Sequence, residues 1–500
     1  MYMPVIKTSL GLLSGIRKED MIEFRGLPYA QPAEGEWRLR APRPMQAWQG
    51  VLACERHAGA AWQESNALLG VADQSLDCLR LNIWAPKSKT PLPVMVWFHG
   101  GGYVNGSPSQ LLYQGERLAR QQQVIVVNVG YRLGALGFGD FTDFLPDTDT
   151  NLGLRDQVAA LQWVHEHIAD VGGDPGQVTI FGESAGGFSV ACLLACSQAS
   201  GLFHHAIMQS GAGDMVVSPE ESRRISAAFV EELGGAERLL HADQKEWVRA
   251  QRISYRMSVA RGLRNTTPQY AMTWLPQVDG ELLTDLPVNL VRQGAARDKR
   301  LLASVCRDEW NLFQYALPFN GNTLIDKLRD LNDEDLRHRF HRALLPEAAD
   351  QAFALYSKHS FHPARGRLDW YAALESDRLF IAPTSQLLDA QVAAGGAAHA
   401  ALFTHETTMF NVPLGACHVS DIPFVFDITD KPVGQLFTGG GEVAAALAKQ
   451  VQQTWGKVAH GKPLDWPAWH DKRVARTFGP GDALQSLMTP AREAFWRAIL

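Results

Sequence analysis

The chain has 500 residues, 46% of them hydrophobic, 20% charged and 9% aromatic, which supplies a large core and excludes a disordered chain. Its 47 Lys and Arg against 53 Asp and Glu give a net charge of -6 without any basic run, so nothing marks a nucleic-acid or anionic-membrane surface. A small neutral molecule is the expected partner, and the oligomeric state is left open.

At the N-terminus, MYMPVIKTSLGLLSGIRKED offers only Leu10–Leu13 as an apolar stretch, interrupted by Gly11 and followed by charges. Neither an export signal nor an anchor is expected there. The longest apolar runs fall far below the roughly 18 residues of a membrane span, so a cytoplasmic location is expected. The six cysteines, Cys54, Cys78, Cys192, Cys196, Cys306 and Cys417, lack CxxC spacing, which argues against a zinc site.

The first buried strand is Val94-Met95-Val96-Trp97-Phe98, followed by helical material over residues 111 to 122. A second strand is predicted at Val124–Val129. Val158, Leu161, Val164 and Ile168 then recur at helical spacing between Leu154 and Ala169, and Gly172-Gly173-Asp174-Pro175 is expected to end that helix in a turn. Val178-Thr179-Ile180-Phe181 is a third strand. Strand, helix, strand, helix, strand predicts an α/β fold with a doubly wound, mainly parallel sheet, whose chemistry sits at the carboxyl ends of the strands. Beyond residue 213 the pattern turns helix-rich, with one short apolar segment, Leu301–Val305. One domain spanning 1–500 is expected, with helical insertions at about 212–300 and 314–400, because no Pro/Gly/Ser-rich linker divides it.

Behind the third strand stands Gly182-Glu183-Ser184-Ala185-Gly186, a GxSxG sequence leading into helix-compatible residues. Glycines on both sides permit the tight strand-to-helix turn that presents a serine as a nucleophile. A serine hydroxyl needs a base to take its proton and donors to receive the carbonyl oxygen's charge. His99-Gly100-Gly101-Gly102-Tyr103 follows the first strand, and its unencumbered N–H groups, with that of Ala185, predict an oxyanion hole. His99 itself reads as structural. Spacing alone does not choose the base among 16 histidines. His165 and His167, at i and i+2 on a helix, diverge to different faces and predict no metal site.

The longer motifs resemble the type-B carboxylesterases, the family of para-nitrobenzyl esterases, animal carboxylesterases and cholinesterases. They are FRGLPYAQP from Phe24, LDCLRLNIWAP from Leu76, WFHGGGY from Trp97, YRLGALGF from Tyr131, the block from Asn151 to Gly211, RDEWNLF from Arg307 and GACHVSDIPFVF from Gly415. The resemblance implies an α/β-hydrolase fold with helices on both faces of the sheet. It implies hydrolysis of carboxylic esters through an acyl-enzyme, with Ser184 as nucleophile, Glu309 as acid and His418 as base, and no cofactor. Asp308 remains a second candidate acid, and His405 the nearest competing histidine. Glu183 and Ser210 are expected close to the nucleophile. An ion pair between Arg132 and Asp174 is also implied, buried behind the site.

Departures from the family pattern carry expectations of their own. Ala61 stands where a disulfide partner for Cys78 is usual, so Cys78 is expected free unless Cys54 substitutes. Leu76 replaces a glutamate, which leaves Arg38 without its usual carboxylate. Asp421 replaces another glutamate and keeps the charge. Acyl transfer, carbamate or amide hydrolysis, and a silent binding role remain alternatives. Substrate choice is expected to come from residues 58–76, 212–275 and 310–414, which match the family least.

Overall fold

The computed structural model describes residues 4–64, 71, 73–260, 272–316, 331–359, 362, 365–409, 413–470, 472–481 and 483–500. The expected wall segments therefore lie partly outside the described residues, as does the first part of the helical run TLIDKLRDLNDEDLRHRFHRALL.

Among the described residues the strands in chain order are β1 (Val5–Lys7), β2 (Leu12–Ser14), β3 (Ile16–Arg17), β4 (Met21–Pro28), β5 (Val51–Ala53), β6 (Arg80–Pro86) and β7 (Leu92–Phe98). They continue with β8 (Ile125–Val129), β9 (Gly173–Glu183), β10 (His205–Gln209), β11 (Arg300–Cys306), β12 (Ala397–Phe403), β13 (Ala475–Phe478) and β14 (Leu484–Gln485). β1, β2 and β5 form a small sheet. The other eleven form one large sheet in the order β14-β13-β12-β11-β10-β9-β7-β8-β6-β4-β3. Every pair from β8 across to β13 is parallel, and the pairs at both margins are antiparallel. This is the α/β-hydrolase arrangement anticipated from the sequence.

The central strands are buried on both faces, which is why they read as unbroken apolar runs rather than alternating ones. Val94, Val96 and Phe98 enter one core, while Met95 and Trp97 enter the other. Trp97 packs there against Tyr113, Phe181 and Phe426 at ring distances of 5.1, 4.9 and 5.0 Å. The register aligns Phe98 with Gly182, and Glu183 with Gln209, which in turn pairs with Ser304. The ends of β7, β9, β10 and β11 thus reach one level, and the residues just beyond them are brought together.

Three local expectations change. The helix covers Leu152–His167, a 3-10 turn runs over Ile168–Val171, and Gly172 at φ 91 caps it, so the Gly173-Asp174-Pro175 stretch is already the start of β9. The apolar segment Leu301–Val305 is no interruption within an insertion, because it forms β11 between β10 and β12 in the main sheet. The implied Arg132–Asp174 pair is absent, and Asp156 takes its place.

Arg132 Nε and Nη2 meet Asp156 Oδ2 and Oδ1 at 2.8 and 2.6 Å, and the Arg132 amide also donates to Oδ2 at 3.0 Å. Asp156 projects from the first turns of the helix Leu152–His167 directly into the fork, with both side chains at most 1% exposed. Asp174 instead accepts its own turn's Gly176 N–H at 2.8 Å near the surface. A fork-shaped guanidinium out of water needs two aligned oxygens, and only Asp156 supplies them.

All six cysteines are buried free thiols, Cys54 and Cys78 included. Arg38 has no carboxylate partner among the described residues. It donates to Leu239 O and Ala242 O at 3.3 and 2.9 Å and lies over the rings of Trp62 and Trp247. No helix among the described residues is long and apolar enough to cross a membrane.

Candidate active site

Ser184 stands between β9 and the helix Ala185–Ala195, at φ 57 and ψ -123, a conformation that costs an L-residue energy. The surrounding backbone enforces it. The Ser184 amide donates to Gln209 O at 3.0 Å, and the Ser184 carbonyl accepts the Phe188 amide at 2.8 Å. At Gly186 any Cβ would collide with the Phe98 carbonyl, so the new helix can lie this close to the end of β7 only with glycine there. The elbow foreseen from GxSxG is therefore a packing solution shared by three strands.

Glu309 lies three residues beyond β11 and is fully buried. Its Oε1 accepts the Ser210 hydroxyl at 2.6 Å and the Cys306 amide at 2.7 Å. Its Oε2 accepts His418 Nδ1–H at 2.6 Å. With both oxygens occupied, the carboxylate can hold the imidazole in one orientation and one tautomer. The other ring nitrogen, Nε2, is buried without a hydrogen bond, 3.1 Å from Glu183 Oε1 but out of alignment with it. A free, buried nitrogen beside the residue that precedes Ser184 is the acceptor a serine hydroxyl would use.

His418 belongs to no strand end. It follows a loop gripped by the turn after β11: Asp308 N–H donates to Ala416 O and Asp308 Oδ2 accepts the Ala416 N–H, both at 2.9 Å. Asn311 Nδ2 adds a bond to Leu414 O at 2.9 Å. Asp308 thus faces the loop and Arg307 rather than the imidazole. His405 directs Nε2 to Thr438 O at 3.3 Å and packs on Phe403 and Phe424, apart from the group.

Gly101 and Gly102 adopt φ 113 and 61, and the Gly101 carbonyl closes a turn by accepting the amides of Val104 and Asn105. Their own N–H groups, and that of Ala185, donate no hydrogen bond among the described residues. Unspent donors beside a serine can receive negative charge. His99 is structural, as expected: Nδ1–H donates to Gly100 O at 2.9 Å, the ring stacks on Tyr131 at 4.5 Å, and burial pushes its pKa down to about 4.

Electrostatics tune the imidazole. Burial opposes charge on His418, but Glu183 and the bonded Glu309 outweigh it and raise its pKa to about 9. Burial likewise raises Glu183, to about 8, with Asp421 and Glu309 adding repulsion against the pull of His418. Asp421, also raised by burial to about 6, is held by Gln209 Nε2 at 2.7 Å, and Gln209 Oε1 accepts Trp455 Nε1–H at 3.0 Å.

Sequence reasoning did not find the aromatic flanks of His418. Phe313 and Phe380 lie 5.0 and 4.8 Å from its ring, and each sits on a π-helical turn, Leu312–Ala316 and Asp377–Ile381. Such turns concentrate at functional sites. Phe313, four residues after Glu309 in RDEWNLF, had a local signal, whereas Phe380 had none. The neighbouring Ser376 hydroxyl oxygen accepts the Trp310 amide at 2.9 Å, and Asp377 is held by Tyr356 and Arg492. His165 and His167 stay away from all of this, His167 Nδ1 bonding Ser9 Oγ at 2.8 Å.

Known proteins resemble this chain along nearly its whole length. The model of the carboxylesterase family matches residues 3–473. A para-nitrobenzyl esterase of Bacillus subtilis is 34% identical over 484 residues, 94% of this chain and 93% of its own, and a mouse cholinesterase is 35% identical over 62% of this chain and 54% of its own. Among solved structures, a thermophilic para-nitrobenzyl esterase superposes with a TM-score of 0.86 at 30% identity, covering 99% of this chain and 100% of its own. A carboxylesterase of Geobacillus stearothermophilus gives 0.85 at 32% identity, over 98% and 99% of the two chains. The chain belongs to the carboxylesterase family.

Proposed function

We propose that this protein hydrolyses carboxylic esters through an acyl-enzyme on Ser184, with His418 as general base and Glu309 as the acid that orients it. The observation that carries the residue assignment is the buried Glu309–His418 bond of 2.6 Å, which leaves Nε2 without a partner next to the Glu183–Ser184 step. His418 takes the Ser184 proton as Oγ attacks the ester carbonyl. The N–H groups of Gly101, Gly102 and Ala185 receive the charge that develops on oxygen, each such donor contributing about 3–4 kcal/mol to the transition state. His418 then protonates the departing alcohol, and water, activated by the same imidazole, releases the acid. Ser210 and the Cys306 amide hold the Glu309 carboxyl in place.

The chain is read as one α/β-hydrolase unit, with the helical segments at about 212–300 and 314–400 supplying pocket walls. Six unpaired thiols support a reducing compartment, and the protein is assigned to the cytoplasm. A 4-nitrophenyl butyrate assay combined with organophosphonate labelling tests the reaction and the nucleophile together. Turnover, with the label on the peptide containing Ser184, is expected. Turnover with the label on another residue would overturn the assignment.

A further inference from the structure

A cavity of about 390 Å³ opens beside the helix Gln244–Ala260, lined by Gln63, Glu64, Lys245, Arg249 and Arg252 together with two uncharged neighbours. Lys245, Arg249 and Arg252, at i, i+4 and i+7, share one helix face. Arg252 Nε lies 3.7 Å from Glu64 Oε1, while Lys245 and Arg249 have no ion-pair partner among the described residues. Three cations against one carboxylate leave a surplus of two positive charges in the lining, within a chain of net charge -6. Behind this wall sits Arg38, stacked on Trp62 and Trp247 with no ion-paired carboxylate among the described residues and with an unpartnered Nε. Trp62 precedes Gln63, and Trp247 lies between Lys245 and Arg249. Positive charge thus accumulates from two layers, one of them in low dielectric where it is felt most strongly.

Gln63 connects this place to the chemistry. It is buried, its Oε1 accepts the Gly106 N–H at 2.8 Å, and its Nε2 donates to Gly106 O at 2.8 Å. Gly106 closes the loop that begins at His99 and carries the Gly101 and Gly102 donors, and a Cβ on it would collide with the His99 ring. One residue therefore both borders the cavity and clasps the oxyanion loop.

We propose that this cavity binds an oxyanionic ligand, a carboxylate or phosphate, on Lys245, Arg249 and Arg252, in contact with the residue that fixes the oxyanion loop. Its effect on catalysis rests on the hydrolase reading above; its binding does not. The anion is either the acidic group of an ester substrate or a free effector. The test titrates the whole protein with inorganic phosphate by calorimetry and compares kcat/KM for mono-4-nitrophenyl glutarate with that for neutral 4-nitrophenyl butyrate. Wild type is expected to bind one phosphate, Lys245→Gln/Arg249→Gln to bind it at least about tenfold more weakly, and Arg249→Lys to retain binding. An acidic-to-neutral kcat/KM ratio that drops about tenfold in the double variant identifies the substrate's own carboxylate as the anion. A constant ratio, with phosphate changing the wild-type rate on butyrate, identifies a free effector. Absence of phosphate binding by wild type, or equal binding by a double variant with unchanged circular dichroism, overturns the proposal. Phosphate binding by a protein that leaves butyrate intact would instead overturn the hydrolase reading alone.

Discussion

Ser184 and His418 are positioned by opposite means. The serine stands at the end of a central strand, in a backbone conformation that three strands and a glycine contact impose. The histidine hangs on a loop between β12 and the short helix Ile422–Val425, and its place depends on the Glu309 bond and on the grip of Asp308 and Asn311 on residues 414–416. A rigid nucleophile meets a base that other side chains steer, so the two should fail differently when perturbed.

The largest effect is expected from Ser184→Ala, which should lower kcat by about a millionfold and leave the melting temperature close to that of wild type, as stopped assays and calorimetry would show. Retained turnover would dismiss the rigid half of the comparison. Next comes the scaffold under the elbow. Asp156→Ala leaves the Arg132 guanidinium buried without its anion and should cost about 3–5 kcal/mol in urea unfolding, whereas Asp174→Ala should stay within about 0.5 kcal/mol. Equal losses would restore the pairing first implied by resemblance. On the steered half, Asp308→Ala should reduce kcat about tenfold with little change in KM, because the loop loosens while the pocket stays. The smallest effect is a pH shift. Glu183 favours the charged imidazole, and the base must be neutral, so activity rises with pH through the pKa of His418, placed above its usual 6.5. Glu183→Gln should move the acid limb of kcat/KM to lower pH; an unmoved limb would mean that Glu183 is already neutral there.

The same division runs through what the sequence disclosed. The elbow was legible because everything that makes it, the apolar strand, the glycines and the helix behind, is contiguous from Val178 to Cys196. β11 was legible only as a short apolar run, since seven residues between helical stretches carry no sign of which neighbours they pair with. His418 and Glu309 came from motif resemblance, as no spacing joins residues 109 apart. The partner of Arg132 was misjudged because the pairing with Asp174 came from the resemblance alone, whereas Asp156 projects from within the helix Leu152–His167 and only the helix's placement against the guanidinium shows that it takes the bond. Phe380 reaches His418 from a segment whose local pattern is that of any buried helix.

The π-helical turn at Asp377–Ile381 holds one residue more than an α-helical turn would. Removing a residue there would return the helix to regular winding and re-aim the side chains carried by the turn itself. Phe380 would leave the imidazole, while Ser376 and its bond to the Trp310 amide would stay behind. Chain length at this one turn is thus a setting for pocket shape, and an insertion or deletion could redraw the wall around the histidine in a way no substitution there can.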